Sequence, residues 1–179
     1  MNERKNKVFI AKSLDGFIAD KNGGLDWLHS IPNPLHEDAG YGQFMNGIDA
    51  LLMGRNSFET VCGFDIEWPY TKPVFVWSTT LNKVPEKAKG KVQLVKGTAK
   101  EVLAQLNALG HQQLYIDGGN TIQSLLKEGL IDEMIITTIP VLLGGGSPLF
   151  GELDQHLTFH HVKTEVFLGE MVQSHYIRK

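Results

Sequence analysis

The residues best suited to chemistry stand in a short turn, Gly54-Arg55-Asn56-Ser57, that follows the apolar run 50–53. A strand that turns tightly into a helix leaves free backbone N–H groups and the positive end of the helix dipole at the turn. With an arginine and small polar side chains added, this arrangement is typical of an anion site, most often for phosphate. The same residues also fit a plain strand-to-helix connection in which Asn56 and Glu59 cap the helix.

Two more turns rich in glycine, serine or threonine follow apolar strands, at residues 78–80 and 118–121. Ligands of open α/β sheets bind beyond the carboxyl ends of the strands, so we expect the three turns to converge. A dinucleotide with a 2′-phosphate fits best, because an arginine such as Arg55 is the usual partner of that group. Neither G-x-G-x-x-G nor G-x-x-x-x-G-K occurs, so the two common phosphate motifs do not explain these turns.

The elements that must position these turns alternate along the chain. Short apolar runs predict strands at 8–11, 17–19, 50–53, 73–77, 92–95, 114–116 and 133–139. Helices are predicted from Asp38, with an apolar stripe of Tyr41, Phe44, Met45 and Ile48, and after Gly54. Two more are predicted from the capping box of Thr98 and Glu101 and after Thr121. Segments 158–166 and 171–177 alternate and predict an antiparallel hairpin. The pattern indicates one α/β domain, 1–179, with a mostly parallel sheet and an antiparallel edge.

Composition excludes several classes of function. The net charge of −3 gives no reason to expect nucleic acid or an anionic membrane as a partner. One cysteine excludes an intramolecular disulfide framework and fits a reducing compartment. No apolar run approaches the ~20 residues of a spanning helix, so we expect a cytoplasmic protein. The histidines lack metal-ligand spacing, and we predict no metal site.

Five segments resemble the dihydrofolate reductase superfamily in order and approximate spacing. Three of them are Phe9-Ile10-Ala11, Met53-Gly54-Arg55-Asn56-Ser57-Phe58-Glu59 and Ile116-Asp117-Gly118-Gly119-Asn120. The other two, Ser13-Leu14-Asp15-Gly16 and Pro140-Val141-Leu142-Leu143-Gly144, look more like the branch that contains the reductase domain of riboflavin biosynthesis, the C-terminal part of a deaminase-reductase. The resemblance covers nearly the whole chain. It implies a three-layer dihydrofolate reductase-like fold, an NADPH-dependent reductase and a homodimer.

The resemblance also implies roles for individual residues. Arg55 would pair with the 2′-phosphate, while Ser78 and Thr79 would line the adenosine end. Ala11 and Ile18 would flank the nicotinamide, with the segment after Ile18 as a mobile lid. The full set of implied cofactor contacts is Ala11, Ile18, Gly54, Arg55, Asn56, Ser57, Ser78, Thr79, Gly118, Gly119, Asn120 and Thr121.

Three further residues are candidates for the substrate and its proton. The family's acid lies at the start of the helix after the lid, which corresponds to Asp38; the alternative is that Asp38 only caps this helix. Thr137 matches a pocket-lining threonine, or is an ordinary sheet hydroxyl. Folate reductases grip the substrate carboxylate with an arginine, for which this chain offers only Lys72. Lysine replaces a bidentate arginine poorly.

The substrate therefore stays open at this point. The deaminase motif H-x-E with P-C-x-x-C is absent from the sequence, so we expect a standalone reductase-like domain. A phosphoribosylamino-pyrimidine, as in 5-amino-6-(5-phosphoribosylamino)uracil reductase, or a pterin-like heterocycle is the leading candidate. The alternatives are a catalytically inactive NADP-binding or regulatory module and a scaffold domain with no ligand.

Overall fold

A computed structural model describes residues 3–179 and shows one eight-stranded sheet with the strand order β5-β4-β3-β6-β1-β7-β10-β9. The strands are β1 Lys5–Ser13, β2 Phe17–Ala19, β3 Ala50–Gly54, β4 Val74–Trp77, β5 Val92–Val95, β6 Gln113–Asp117, β7 Glu133–Ile139, β8 Ser147–Pro148, β9 Phe159–Phe167 and β10 Met171–Arg178. The helices are α1 Tyr41–Asn46, α2 Arg55–Gly63, α3 Ala99–Ala108 and α4 Gly119–Lys127, with 3-10 turns at Asp26–His29 and Glu86–Ala88.

Strand direction follows the prediction. The neighbours from β5 to β7 all pair in parallel, whereas β10 runs antiparallel to both β7 and β9. The β9–β10 hairpin forms the edge of the sheet and contains a register shift at His175/Tyr176. The predicted mostly parallel sheet with an antiparallel C-terminal hairpin is confirmed.

Alternate residues of the central strands enter different cores, which is why the fold has three layers. Leu52 lies in a core with the apolar faces of α3 and α4. Its neighbours Leu51 and Met53 lie in a second core, with Phe58 of α2 and Phe44 of α1. Successive side chains of a strand point to opposite faces, so a strand with an unbroken apolar run must be covered by helices on both sides.

The helix predicted to open at Asp38 begins later, at Tyr41. Ala39 and Gly40 have φ of 50° and 84°, and this left-handed backbone cannot continue a right-handed helix. The capping box of Thr98 and Glu101 is confirmed.

The cap predicted for the second helix is wrong. The N-cap of α2 is Gly54, and it has no side-chain cap hydrogen bond. Glu59 pairs with Arg55 instead, at 3.0 Å. No helix within residues 3–179 combines the length and the apolar character that crossing a bilayer requires.

Candidate functional site

Two of the predicted turns lie against each other at the carboxyl ends of neighbouring strands. β3 pairs with β6 in parallel, so the helix starts of α2 and α4 are adjacent. A Cβ at Gly118 would overlap Ser57 Oγ, and a Cβ at Gly54 would stand 2.8 Å from Thr121 Oγ1. Gly118 also has φ of 91°, which favours glycine. Glycines at these two positions therefore let the turns meet with two helix N-termini side by side.

The third turn completes this end of the site. It follows β4, whose last residue Trp77 is in register with Gly54. Buried Ser78 orders the turn, because its Oγ accepts hydrogen bonds from the backbone N–H of Thr80 at 3.2 Å and of Leu81 at 3.0 Å. The guanidinium of Arg55 donates to Thr80 Oγ1 at 3.0 Å, so the cation is held beside a hydroxyl-rich turn.

One cavity of about 1070 Å³ joins all three turns. Every residue assigned above to the cofactor lines it, namely Ala11, Ile18, Gly54, Arg55, Asn56, Ser57, Ser78, Thr79, Gly118, Gly119, Asn120 and Thr121. The volume lies just above the range of about 300–1,000 Å³ for small-molecule and cofactor sites. The structure thus brings together residues that are far apart in sequence. Their contact with NADPH stays a prediction.

The segment predicted to be a lid, after Ile18, contributes Ala19, Gly23 and Leu25 to the lining of this cavity. β2 pairs with β8, and a Cβ at Gly119 would stand 2.9 Å from Ile18 Cδ1. The carboxylate of Asp15 accepts hydrogen bonds from the N–H groups of Leu143, at 3.1 Å, and Gly144, at 2.8 Å. These bonds join the turn before β2 to the glycine-rich loop before β8.

An acid and three tyrosines also line the cavity. Asp117 ends β6, and burial raises its pKa to about 6, although a hydrogen bond from the Gly118 backbone partly offsets this rise. Tyr41, Tyr70 and Tyr115 line the cavity nearby. Burial, together with the charge of Asp117, raises the pKa of Tyr41 to about 12 and raises the pKa of the other two as well. Asp117 is therefore a carboxyl group that can hold a proton near neutral pH.

Three predicted residues lie outside the cavity lining. The Asp38 carboxylate is exposed and accepts hydrogen bonds from the N–H groups of Gly40, at 2.9 Å, and Gly42, at 2.8 Å. These bonds lower its pKa, so the position fits the helix-capping alternative better than a proton donor. Buried Thr137 accepts a hydrogen bond from Gln173 at 3.0 Å, as a satisfied sheet hydroxyl would.

Lys72 is the clearest departure from the predicted site. It precedes β4, and Asp49 precedes β3. Burial of Asp49 is outweighed by hydrogen bonds from the Gln112 and Gln113 backbone, and the charges of His111 and Lys72 further lower its pKa. Lys72 and Asp49 therefore lie at the amino-terminal edge of the parallel strands. The cavity lies at the opposite edge and Lys72 does not line it, so its contact with the substrate stays a prediction without support from this position.

Sequence reasoning did not identify Asp117 and the tyrosines as cavity-lining residues. Asp117 could have been recognised as a site residue, because it is a carboxylate directly after a predicted buried strand and before Gly118-Gly119. Tyr41 was counted only in the apolar stripe of its helix, and Tyr70 lies in an irregular segment with no pattern. Within residues 3–179, no three histidine, cysteine, aspartate or glutamate side chains cluster as a metal site would need.

Comparisons with known proteins agree with this architecture. The chain is 35% identical to the uncharacterized protein YwjB of Bacillus subtilis (strain 168), over 98% of this chain and 99% of that protein. It is 56% identical to a crystal structure from Shewanella sp. PV-4, provisionally named a riboflavin biosynthesis protein, with a TM-score of 0.95 over 98% of this chain and 99% of that one.

The fold is that of dihydrofolate reductase. The Enterococcus faecalis enzyme complexed with NADP(H) superposes with a TM-score of 0.66 at 20% identity, over 97% of this chain and 96% of that one. The family model of the RibD C-terminal domain matches residues 5–172. The chain therefore belongs to the RibD C-terminal domain family.

Proposed function

We propose that this protein is an NADPH-dependent reductase that transfers a hydride to a C=N or C=O bond of a small pterin-like or ribosylamino-pyrimidine-like heterocycle. The observation that carries the proposal is the cavity itself. It is lined by two helix N-termini and Arg55, and also by Asp117 and three tyrosines. Such a cavity has room for an anionic dinucleotide and a planar ring at the same time.

The helix N-termini and Arg55 suit a dinucleotide with a 2′-phosphate. The first-turn N–H groups of α2 and α4 have no acceptors within their own helices and can bind phosphate oxygens. Gly118 and Gly119 have no side chains, so the backbone can approach the cofactor closely. Arg55 lies beside Ser78 and Thr80 and would bind the 2′-phosphate, displacing part of its pairing with Glu59.

The Asp117 carboxyl group can supply a proton. When bound, NADPH supplies the hydride, which adds to the carbon of the C=N or C=O bond. The nitrogen or oxygen of that bond then takes a proton from the Asp117 carboxyl, which is left as a carboxylate. A pKa of about 6 keeps part of the Asp117 population protonated near neutral pH. Ile18 and Leu28 give the cavity apolar walls that help to exclude water.

We also propose that the protein works as a cytoplasmic homodimer with a small-molecule substrate. The single cysteine, Cys62, supports a reducing compartment. The dimer rests on the resemblance, and size-exclusion chromatography with light scattering tests it.

The reductase is tested by following the absorbance of NADPH with a panel of pterins, amino-pyrimidines and carbonyl compounds. We expect oxidation with at least one planar heterocycle, and transfer of deuterium from NADPH labelled at the nicotinamide. Asp117→Asn should still bind NADPH but turn over about 10²-fold to 10⁴-fold more slowly. If NADPH binds and no compound is reduced, the protein is an inactive NADP-binding module and the proposal is wrong.

A further inference from the structure

The two edges of the eight-stranded sheet differ in length. β5 forms one edge with only four residues, Val92–Val95. β9 forms the other with nine residues, Phe159–Phe167, of which 160–166 are all exposed. In the part of the chain that the structure describes, β9 pairs with β10 alone. Its outer side therefore carries a row of unpaired backbone N–H and C=O groups, which can pair with a strand of another chain.

Valines are exposed along the same edge. Val166 of β9 and Val172 of β10 lie directly opposite each other, and they are 60% and 42% exposed. Val162, in the other half of β9, is 49% exposed. Removal of apolar surface from water is favourable, so a second surface that covers these side chains would gain free energy. Exposed valines beside an unpaired backbone indicate an interface at this edge.

The charges of β9 suit a second copy of the same strand. A lysine on an edge strand usually discourages pairing with other chains, and Lys163 stands at the middle of β9. Glu165 lies two residues further on the same side of the strand, and its carboxylate pairs with the Lys163 ammonium of its own copy. Two antiparallel β9 strands with a two-fold axis at Thr164 would place Lys163 of each copy opposite Glu165 of the other. Opposite charges that face each other across two strands stabilise their pairing.

The neighbouring registers of this pairing are less favourable. A two-fold axis at Lys163 places two lysines opposite each other, and an axis at Glu165 does the same with two glutamates, which is destabilising. The axis at Thr164 also brings Val166 of each copy beside Val162 of the other, so that exposed valines of both copies are covered. A two-fold interface uses the same surface of both chains and must be self-complementary. β9 meets this condition in one register.

We propose that β9 is the dimer interface of this protein, where two copies pair in antiparallel orientation about a two-fold axis at Thr164 and join their sheets into one. This inference rests on the homodimer proposed above and names its surface. The backbone groups of β9 supply the hydrogen bonds of the pairing, while Lys163 and Glu165 select the register and reject strands with a different charge pattern.

The test exchanges the charges of β9 in the full-length protein. Lys163→Glu and Glu165→Lys each place like charges opposite each other, so each variant alone should raise the dimer dissociation constant about tenfold or more. An equimolar mixture of the two variants should dimerise again, because every cross-strand charge pair in the mixed dimer is then attractive. Lys89→Glu is the matched control. Lys89 pairs with Glu86 shortly before β5, at the opposite edge of the sheet, and its replacement should leave the dimer unchanged.

The measurement is sedimentation equilibrium over a range of protein concentrations, with circular dichroism to verify that each variant is folded. Single variants that dimerise as tightly as the wild type, a mixture that fails to recover the dimer, or equal weakening by Lys89→Glu would each overturn the inference. In these cases the homodimer stands and its interface lies elsewhere. A wild-type protein that is monomeric at every concentration would refute both the homodimer and its interface. NADPH titration of the same samples tests the reductase separately.

Discussion

Replacing Asp117 by asparagine should stabilise the fold while it removes activity. In the folded protein the pKa of this carboxyl is about 6, against an ordinary value of 3.8. At about 1.36 kcal/mol per pKa unit, the difference corresponds to about 3 kcal/mol of unfavourable free energy for the folded carboxylate. Because the side chain keeps some contact with solvent in the cavity, we expect Asp117→Asn to gain between about 1 and 3 kcal/mol at pH 8.

The sign of the pH dependence follows from the raised pKa. Between about pH 6 and pH 4 the folded state of the wild type binds a proton that the unfolded state releases more easily. Asp117 therefore adds stability as the pH falls through this window, and the advantage of Asp117→Asn over the wild type should shrink toward zero by about pH 4.

The assay is urea unfolding of both proteins at several pH values between 4 and 8. The quantity to compare is the difference in unfolding free energy between the two proteins. Other carboxylates, whose pKa values are lowered, have the opposite pH dependence, but they affect both proteins equally. Asp49→Asn is the matched control. Burial favours protonation of Asp49, but hydrogen bonds from the Gln112 and Gln113 backbone outweigh it and lower its pKa, so this variant should lose stability at pH 8. An Asp117→Asn protein that is no more stable than the wild type at pH 8, with a pH-independent difference, would refute the reasoning.

Three other predictions test the remaining parts of the site. Arg55→Ala should weaken NADPH binding by about 10-fold to 100-fold and NADH binding only slightly; equal losses in calorimetry would exclude a 2′-phosphate contact. Gly118→Ala should lower the free energy of unfolding by about 1–3 kcal/mol and abolish NADPH binding, because its Cβ meets Ser57; Gly90→Ala, with φ of 73° and open space, is the control that should keep binding. Asp38→Asn should lower the melting temperature slightly and leave the pH profile of kcat/KM unchanged; a shifted profile would identify Asp38 as the proton donor.

Most of the fold could be predicted from local patterns in the sequence. Apolar runs ending in glycine-rich turns predicted the parallel strands, and the alternation of the last two segments predicted the antiparallel edge. The late start of α1 was not accessible, because the positive φ of a non-glycine residue, Ala39, is set by its surroundings and not by its own propensity.

The residues proposed to bind the cofactor could be predicted from the sequence, whereas those proposed to face the substrate could not. The three turns share a composition, and the rule that ligands bind beyond strand ends places them together. Tyr70, in contrast, comes from an irregular segment and is held at the cavity by tertiary packing, against Trp68 at a ring distance of 5.5 Å and against the second core. Lys72 was assigned from the family pattern, although the predicted strand 73–77 directly follows it and already placed it at the amino-terminal edge of the sheet.

The central claim is that the cavity binds NADPH, and a titration of NADPH and NADH into the protein tests it most directly. Trp77 lines the cavity, so its fluorescence should be quenched in a saturable manner, with NADPH binding at least about tenfold tighter than NADH. Trp77→Phe should lose most of the quenching signal and still bind NADPH in calorimetry. Absence of saturable binding at millimolar NADPH in both measurements would contradict the claim.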